Sequence, residues 1–123
     1  MGSAVNVVIV DDDHSLLELS TELLESEGFT VNPFLGAHEA FNYLQGHWAS
    51  VTLIITDVRM PKMSGAELVI KVRKNSRTLP LVLCSGDESV MEEGYFKNDS
   101  NLHFLKKPYL PGELINLVKK VAN

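Results

Sequence analysis

The chain has 123 residues, 45% of them hydrophobic, with a formal net charge of −5 and a single cysteine. That length suits one domain, residues 1–123, with a core that needs neither disulfides nor a structural metal. The acidic balance argues against the basic face that direct nucleic-acid binding requires, and one cysteine excludes a disulfide framework or a cysteine-based zinc site.

Residues 5–10 are apolar and β-branched on both faces, the pattern of a fully buried strand. Residues 14–27 follow as a helix, with Leu16, Leu19, Leu23 and Leu24 assigned to one face and Gly28 as its stop. Residues 29–34 form a shorter strand, which Pro33 places at a sheet edge. A short helix over 37–45 leads to a second central strand, 51–56. The next helix, 65–74, turns Leu68, Val69 and Val72 inward, and 81–84 is a third core strand. A weak helix over 89–97, interrupted by Gly94, precedes the last strand, 102–105, and the last helix, 112–121. Leu110 stands where a hydroxyl side chain would cap that helix.

Strands alternating with helices in one small domain imply an α/β fold: a single five-stranded parallel sheet, helices on both faces, right-handed crossovers. The order 2-1-3-4-5 is the commonest arrangement of this size, and it binds ligands outside the carboxyl ends of its strands. No apolar run reaches membrane-spanning length and the N-terminus is not signal-like, so the expectation is a cytoplasmic domain without membrane contact. Residues 1–3 read equally as native or appended. His14, His38, His47 and His103 lack ligand spacing.

The strand ends carry the chemistry. Asp11, Asp12 and Asp13 follow the first strand, Asp57 the third, Ser85 the fourth and Lys107 the fifth. Carboxylates gathered at one edge repel, and they either protonate or collect cations. A hard divalent cation, Mg²⁺ above all, resolves that conflict and keeps positions open for phosphate. Lys107 adds a point charge and Ser85 a hydrogen-bond donor, both suited to phosphoryl oxygens. A carboxylate can itself be the nucleophile, and Asp57, heading a loop punctuated by Pro61 and Gly65, is the candidate.

Four motifs in order, "VDDD", "TDVRMPKMSG", "CSG" and "KKP", make the chain resemble the receiver domain of two-component response regulators over essentially its whole length. The resemblance implies a CheY-like signalling domain that catalyses only its own phosphorylation and dephosphorylation, rather than an enzyme acting on other substrates. Asp57 would accept a phosphoryl group from the phosphohistidine of a histidine kinase or phosphotransfer domain. Asp12, Asp57 and the backbone carbonyl of Arg59 would ligate Mg²⁺, with Asp11 acting through a bound water. Ser85, Gly86 and Lys107 would hold phosphoryl oxygens, and Ser85 and Phe104 would form the switch toward an unspecified downstream target. The Lys107–Pro108 bond would be cis. Asp13 lies beyond the acidic pair and reads as a helix cap. Arg59 and Asp87 stand two residues beyond Asp57 and Ser85, where they would flank attacking water and pair with each other.

Each residue also has a plainer reading. Asp11 and Asp12 alone would be a solvated turn, Ser85 before Gly86 plain turn chemistry, Lys107 a surface lysine and Phe104 core. Cys84 reads as core. Three other functions remain open: a receiver that never takes phosphate and only docks, a flavodoxin-type carrier, and an aspartyl phosphatase. The carrier needs a hydroxyl- and glycine-rich loop where this chain has carboxylates, and no cap domain for a phosphatase is legible. With no effector segment readable after the last helix, the expectation is a stand-alone regulator or a receiver belonging to a longer regulator or hybrid kinase.

Overall fold

In the computed structural model, which describes residues 5–94 and 96–122, five parallel strands form one sheet in the order β2-β1-β3-β4-β5. The strands are β1 (Asn6–Val10), β2 (Thr30–Phe34), β3 (Leu53–Asp57), β4 (Leu81–Ser85) and β5 (Leu102–Lys106). The helices are α1 (His14–Ser26), α2 (Ala37–Leu44), α3 (Gly65–Asn75) and α4 (Pro111–Ala122), with 3-10 turns at Trp48–Ser50 and Glu88–Glu92. The expected order therefore holds, and the Pro33 strand, β2, is an edge strand. Residues 1–3 lie outside the described residues, and among those described no helix is long and apolar enough to cross a membrane.

Strand alternation divides the core in two. Val8, Val10, Ile54, Leu81 and Leu83 face α2 and α3, packing with Leu44, Leu68, Val69 and Val72. Val7, Ile9, Leu53, Ile55, Val82 and Cys84 face α1 and α4, packing with Leu17, Leu24, Leu114 and Val118. Because β1, β3 and β4 are covered on both sides, they carry almost no polar residues, which is why they were plain in the sequence.

Local chemistry sets the helix ends. Asp13 caps α1 by accepting from the Leu16 N–H at 3.1 Å, and Gly28 beyond the other end has φ +89°, a conformation that favours glycine. Ser64 and Glu67 form a reciprocal capping box on α3. At α4 only half of that arrangement exists. Glu113 accepts from the Leu110 N–H at 2.8 Å, but Leu110 has no hydroxyl with which to return the bond.

Two expectations need correction. The buried stripe of α1 is Leu17, Ser20 and Leu24, whereas Leu19 is 51% exposed and Leu16 and Leu23 are only half-buried. The buried Ser20 hydroxyl lies 3.0 Å from the Tyr109 hydroxyl, so a polar pair occupies the place where leucine spacing had suggested an apolar one. The second correction concerns residues 89–97. In place of an α-helix the chain makes the 3-10 turn Glu88–Glu92 and then irregular backbone, with Tyr95 outside the described residues. Phe96, 2% exposed, supplies the apolar cover there, with Val90 and Met91 packed against the same cluster.

A side-chain clamp holds that irregular segment. Arg73 near the end of α3 donates through Nε to Asp99 at 2.6 Å, and through its other nitrogens to the carbonyls of Ser76, Leu79 and Asn101. Asp99 in turn accepts from the Asn101 N–H at 3.0 Å. The pair is largely shielded from water, at 17% and 13% side-chain exposure. Arg73→Ala should lower stability by about 1.5–3 kcal/mol, the range for hydrogen bonds to charged groups. Urea unfolding would register this as a lower midpoint at an unchanged slope; an unmoved midpoint would mean that the clamp holds nothing.

Candidate functional site

The sheet register assembles the site. Val10 pairs with Thr56, so the next residues, Asp11 and Asp57, leave the carboxyl edge side by side. Asp57 pairs with Cys84 and Ser85 with Lys106, which brings Ser85 and Lys107 to the same edge. The Lys107 N–H donates to the Ser85 carbonyl at 2.8 Å, and the Lys107–Pro108 bond is cis. Asp11, Asp12, Asp57, Ser85 and Lys107 thus come from four strand ends to one place.

The Lys107 ammonium is 3.1 Å from Asp11 Oδ2 and 3.1 Å from Asp57 Oδ2. The other oxygen of Asp11 accepts from the Asp13 N–H at 2.9 Å, which fixes the carboxylate's orientation. Asp11 is buried, Asp57 half-buried and Asp12 exposed, and one oxygen from each lies within 4.8 Å of the others. This acidic cluster is able to bind a metal ion: three hard oxygen donors converge, one of them open to solvent.

Burial raises the pKa of Asp57, and Asp11 and Asp12 push the same way, together outweighing Lys107. For Lys107, burial opposes the charge, but Asp57 and Asp11 outweigh it and the pKa is raised. The two directions agree physically, because the lysine shares two carboxylates while Asp57 faces two others like itself. Burial pushes the Cys84 thiol up to about 12, in keeping with a core role.

Ser85 is buried, and its hydroxyl oxygen accepts from the Asp87 N–H at 3.1 Å, leaving its hydrogen to donate elsewhere. Asp57, Arg59, Ser85, Gly86, Asp87 and Lys107 line one small cavity. The Asp87 carboxylate instead accepts from the Ser89 N–H at 2.9 Å, and among the described residues no ion pair joins Arg59 to Asp87, though Arg59 still favours the ionised Asp87. Phe104 is half-buried against the α2/α3 cluster.

Two features went unread in the sequence: the backbone contact made by the Asp57 loop at Gly65, and Tyr109. A Cβ on Gly65 would collide with the carbonyl oxygen of Asp57, and the Gly65 N–H donates to the Val58 carbonyl at 2.9 Å. Lys62, in the same loop, has φ 69°, an uncommon conformation for a residue with a side chain. Tyr109 is the other, lining a cleft with Asp13, Leu16, Lys107 and Pro108. The serine within a leucine-rich helix was its only sequence signal.

Residues 7–119 match the model of the response regulator receiver domain. The chain belongs to that family. Receivers accept a phosphoryl group as signalling domains of two-component systems, and this one has relatives both in regulators and in a sensor kinase. It is 31% identical over 120 residues, 98% of its length, to the C4-dicarboxylate transport transcriptional regulatory protein DctD of Rhizobium meliloti, of which it spans 26%. It is 32% identical over 98% of its length to response regulator Rre1 of Synechocystis, of which it spans 53%. The chain therefore spans about a quarter to a half of these relatives' lengths. Among solved structures, chemotaxis response regulator CheY4 of Vibrio cholerae matches at TM-score 0.84 and 27% identity, covering 97% of this receiver and 99% of that chain.

A raised carboxyl pKa means that the fold disfavours the ionised form. The stability linked to this group is complete below its ordinary value of 3.8 and is lost as pH rises through the folded pKa. Asp57→Asn should therefore stabilise the metal-free receiver at neutral pH by about 0.5–2 kcal/mol, a gain that fades on acidification. Thermal unfolding with chelator present checks the sign, and a variant no more stable than its parent would contradict it.

Proposed function

We propose that Asp57 is the acceptor of this receiver, with the phosphoryl group supplied by the phosphohistidine of a histidine kinase or phosphotransfer domain. The observation that carries this reading is the Lys107 ammonium at 3.1 Å from both Asp57 and Asp11, beside a third carboxylate. An Asp57 oxygen attacks phosphorus, the P–N bond to the donor imidazole breaks, and the imidazole leaves with the electron pair and takes up a proton. Lys107 and the Ser85 hydroxyl, with the Gly86 backbone, would hold the transferring oxygens. Asp12, Asp57 and the Arg59 carbonyl would hold Mg²⁺, and Asp11 would act through a bound water. When bound, the ion neutralises the carboxylates and orients phosphoryl oxygens for in-line transfer. Catalysis by the domain extends only to its own phosphorylation and dephosphorylation, and the reaction belongs in the cytoplasm, where kinases draw on ATP.

The donor needs a docking surface beside the acceptor. Leu16 borders the cleft with Lys107, Pro108 and Tyr109, and two exposed leucines flank it in sequence: Leu19, 51% exposed, and Leu110, 69% exposed. Exposed leucines close in sequence to the residues of this cleft suit an apolar helical face on the phosphohistidine partner.

Treatment with acetyl phosphate and Mg²⁺ should add one phosphoryl group by intact mass, and chelator should prevent it. Asp57→Ala should abolish the addition, and stoichiometric labelling of that variant would overturn the assignment.

The output reading follows from charge. Phosphorylation adds about 1.5–2 negative charges, and the Ser85 hydroxyl moves to donate to them, because charge-assisted bonds outcompete neutral ones. Phe104, two residues before Lys106, which pairs with Ser85, then turns further inward and reshapes the face presented to the downstream target. Amide shifts should change at Phe104 and along α4 when beryllofluoride and Mg²⁺ mimic the phosphoryl group. Changes confined to Asp11, Asp12, Asp57 and Lys107 would refute propagation.

A further inference from the structure

On the flank of α1 away from the Lys107 cleft, a groove of about 550 Å³ runs between α1 and the junction of β2 with α2. Leu17, Pro33, Phe34 and Leu35 give it apolar walls, and Leu35 is 47% exposed. Glu18, Glu22, Glu25 and Glu39 rim it, and His14 is the single basic side chain along it. The first three are spaced i, i+4 and i+7, so they share one face of α1 and repel one another. Among the described residues the ion pairs join Arg73 to Asp99, Lys107 to Asp11 and Asp57, and Lys119 to Glu27, leaving the rim carboxylates without a cation.

We propose that this groove docks a cationic amphipathic helix of a partner protein, distinct from the surface that meets the phosphoryl donor. The charge argument selects the partner: an unneutralised acidic rim repels anionic peptides and anionic lipid, and it rewards lysines or arginines flanking an apolar side chain. The backbone selects the helix. β2 is an edge strand, but Pro33 lies on the groove and has no N–H to offer an added strand, which blunts strand addition at this edge. A helix laying its apolar face into a groove needs no backbone partner. Leu16 borders the donor cleft while Leu17, Glu18 and Thr21 border the groove, so the two flanks of α1 can be engaged together.

The test is an amide-shift titration of the isotope-labelled chain with a synthetic leucine–lysine amphipathic helix, with a leucine–glutamate helix of the same pattern as control. Shifts should centre on Leu17, Thr21, Phe34 and Leu35, and the acidic peptide should not bind. In E18K/E22K, affinity for the cationic peptide should fall by at least about tenfold and the acidic peptide should now bind. Phosphoryl uptake by the same variant should match the parent, which shows that it is folded. Shifts centred on Asp11, Asp12 and Asp57, or cationic-peptide binding undiminished by the charge reversal, would overturn the proposal. So would a concentration-dependent dimer abolished by Leu35→Glu, because a second copy would then fill the groove.

Discussion

The site depends on a balance of charge at one sheet edge. Asp11 and Asp57 are brought together by a register that the strands' apolar packing enforces, and their carboxylates are partly removed from water. Left alone, such a pair would ionise only at a cost to the fold. Lys107 moderates that cost by lying 3.1 Å from each, and it reaches this position from β5, the edge strand two places beyond β3. The compensation is incomplete, since burial still holds the Asp57 pKa above its ordinary value. A residual excess of negative charge is a driving force for cation binding already present in the free protein.

Different physical origins explain what the sequence disclosed. Strands covered on both faces must be apolar along their whole length, so β1, β3 and β4 could be read without ambiguity. The residues immediately after them were legible for the same reason, because a charge that ends an apolar run can only lie at the sheet edge. Asp11 and Asp57 were found in this way, Ser85 and Lys107 from the motifs at the ends of β4 and β5, and the structure brings Asp57, Ser85 and Lys107 together. The inward face of α1 was misassigned because it rests on Ser20, and a buried serine makes sense only once Tyr109, 89 positions away, supplies its partner. Such long-range polar pairing leaves no periodic trace.

The segment between β4 and β5 shows the converse. Its sequence was a poor helix, with Gly94 inside it, and the chain answers with a 3-10 turn, a buried Phe96 and an arginine clamp. Apolar cover is kept while regular backbone hydrogen bonding is given up. Local stability there rests on a few side chains, so this segment is expected to open more readily than the helices on either side. If Phe104 and α4 rearrange on phosphorylation as proposed, an easily deformed segment beside β5 lowers the work that the rearrangement requires.

Gly65 has a mechanical consequence. Because the first residue of α3 lies against the Asp57 carbonyl, backbone on backbone, no side chain cushions the contact. A displacement of the Asp57 main chain is therefore transmitted to the helix as a push on its end. At its far end the helix holds Arg73, whose guanidinium grips Asp99 and the Asn101 carbonyl just before β5. α3 thus works as a strut between the acceptor loop and the irregular segment, and its stiffness limits how far movement at one end can be absorbed before the other must follow.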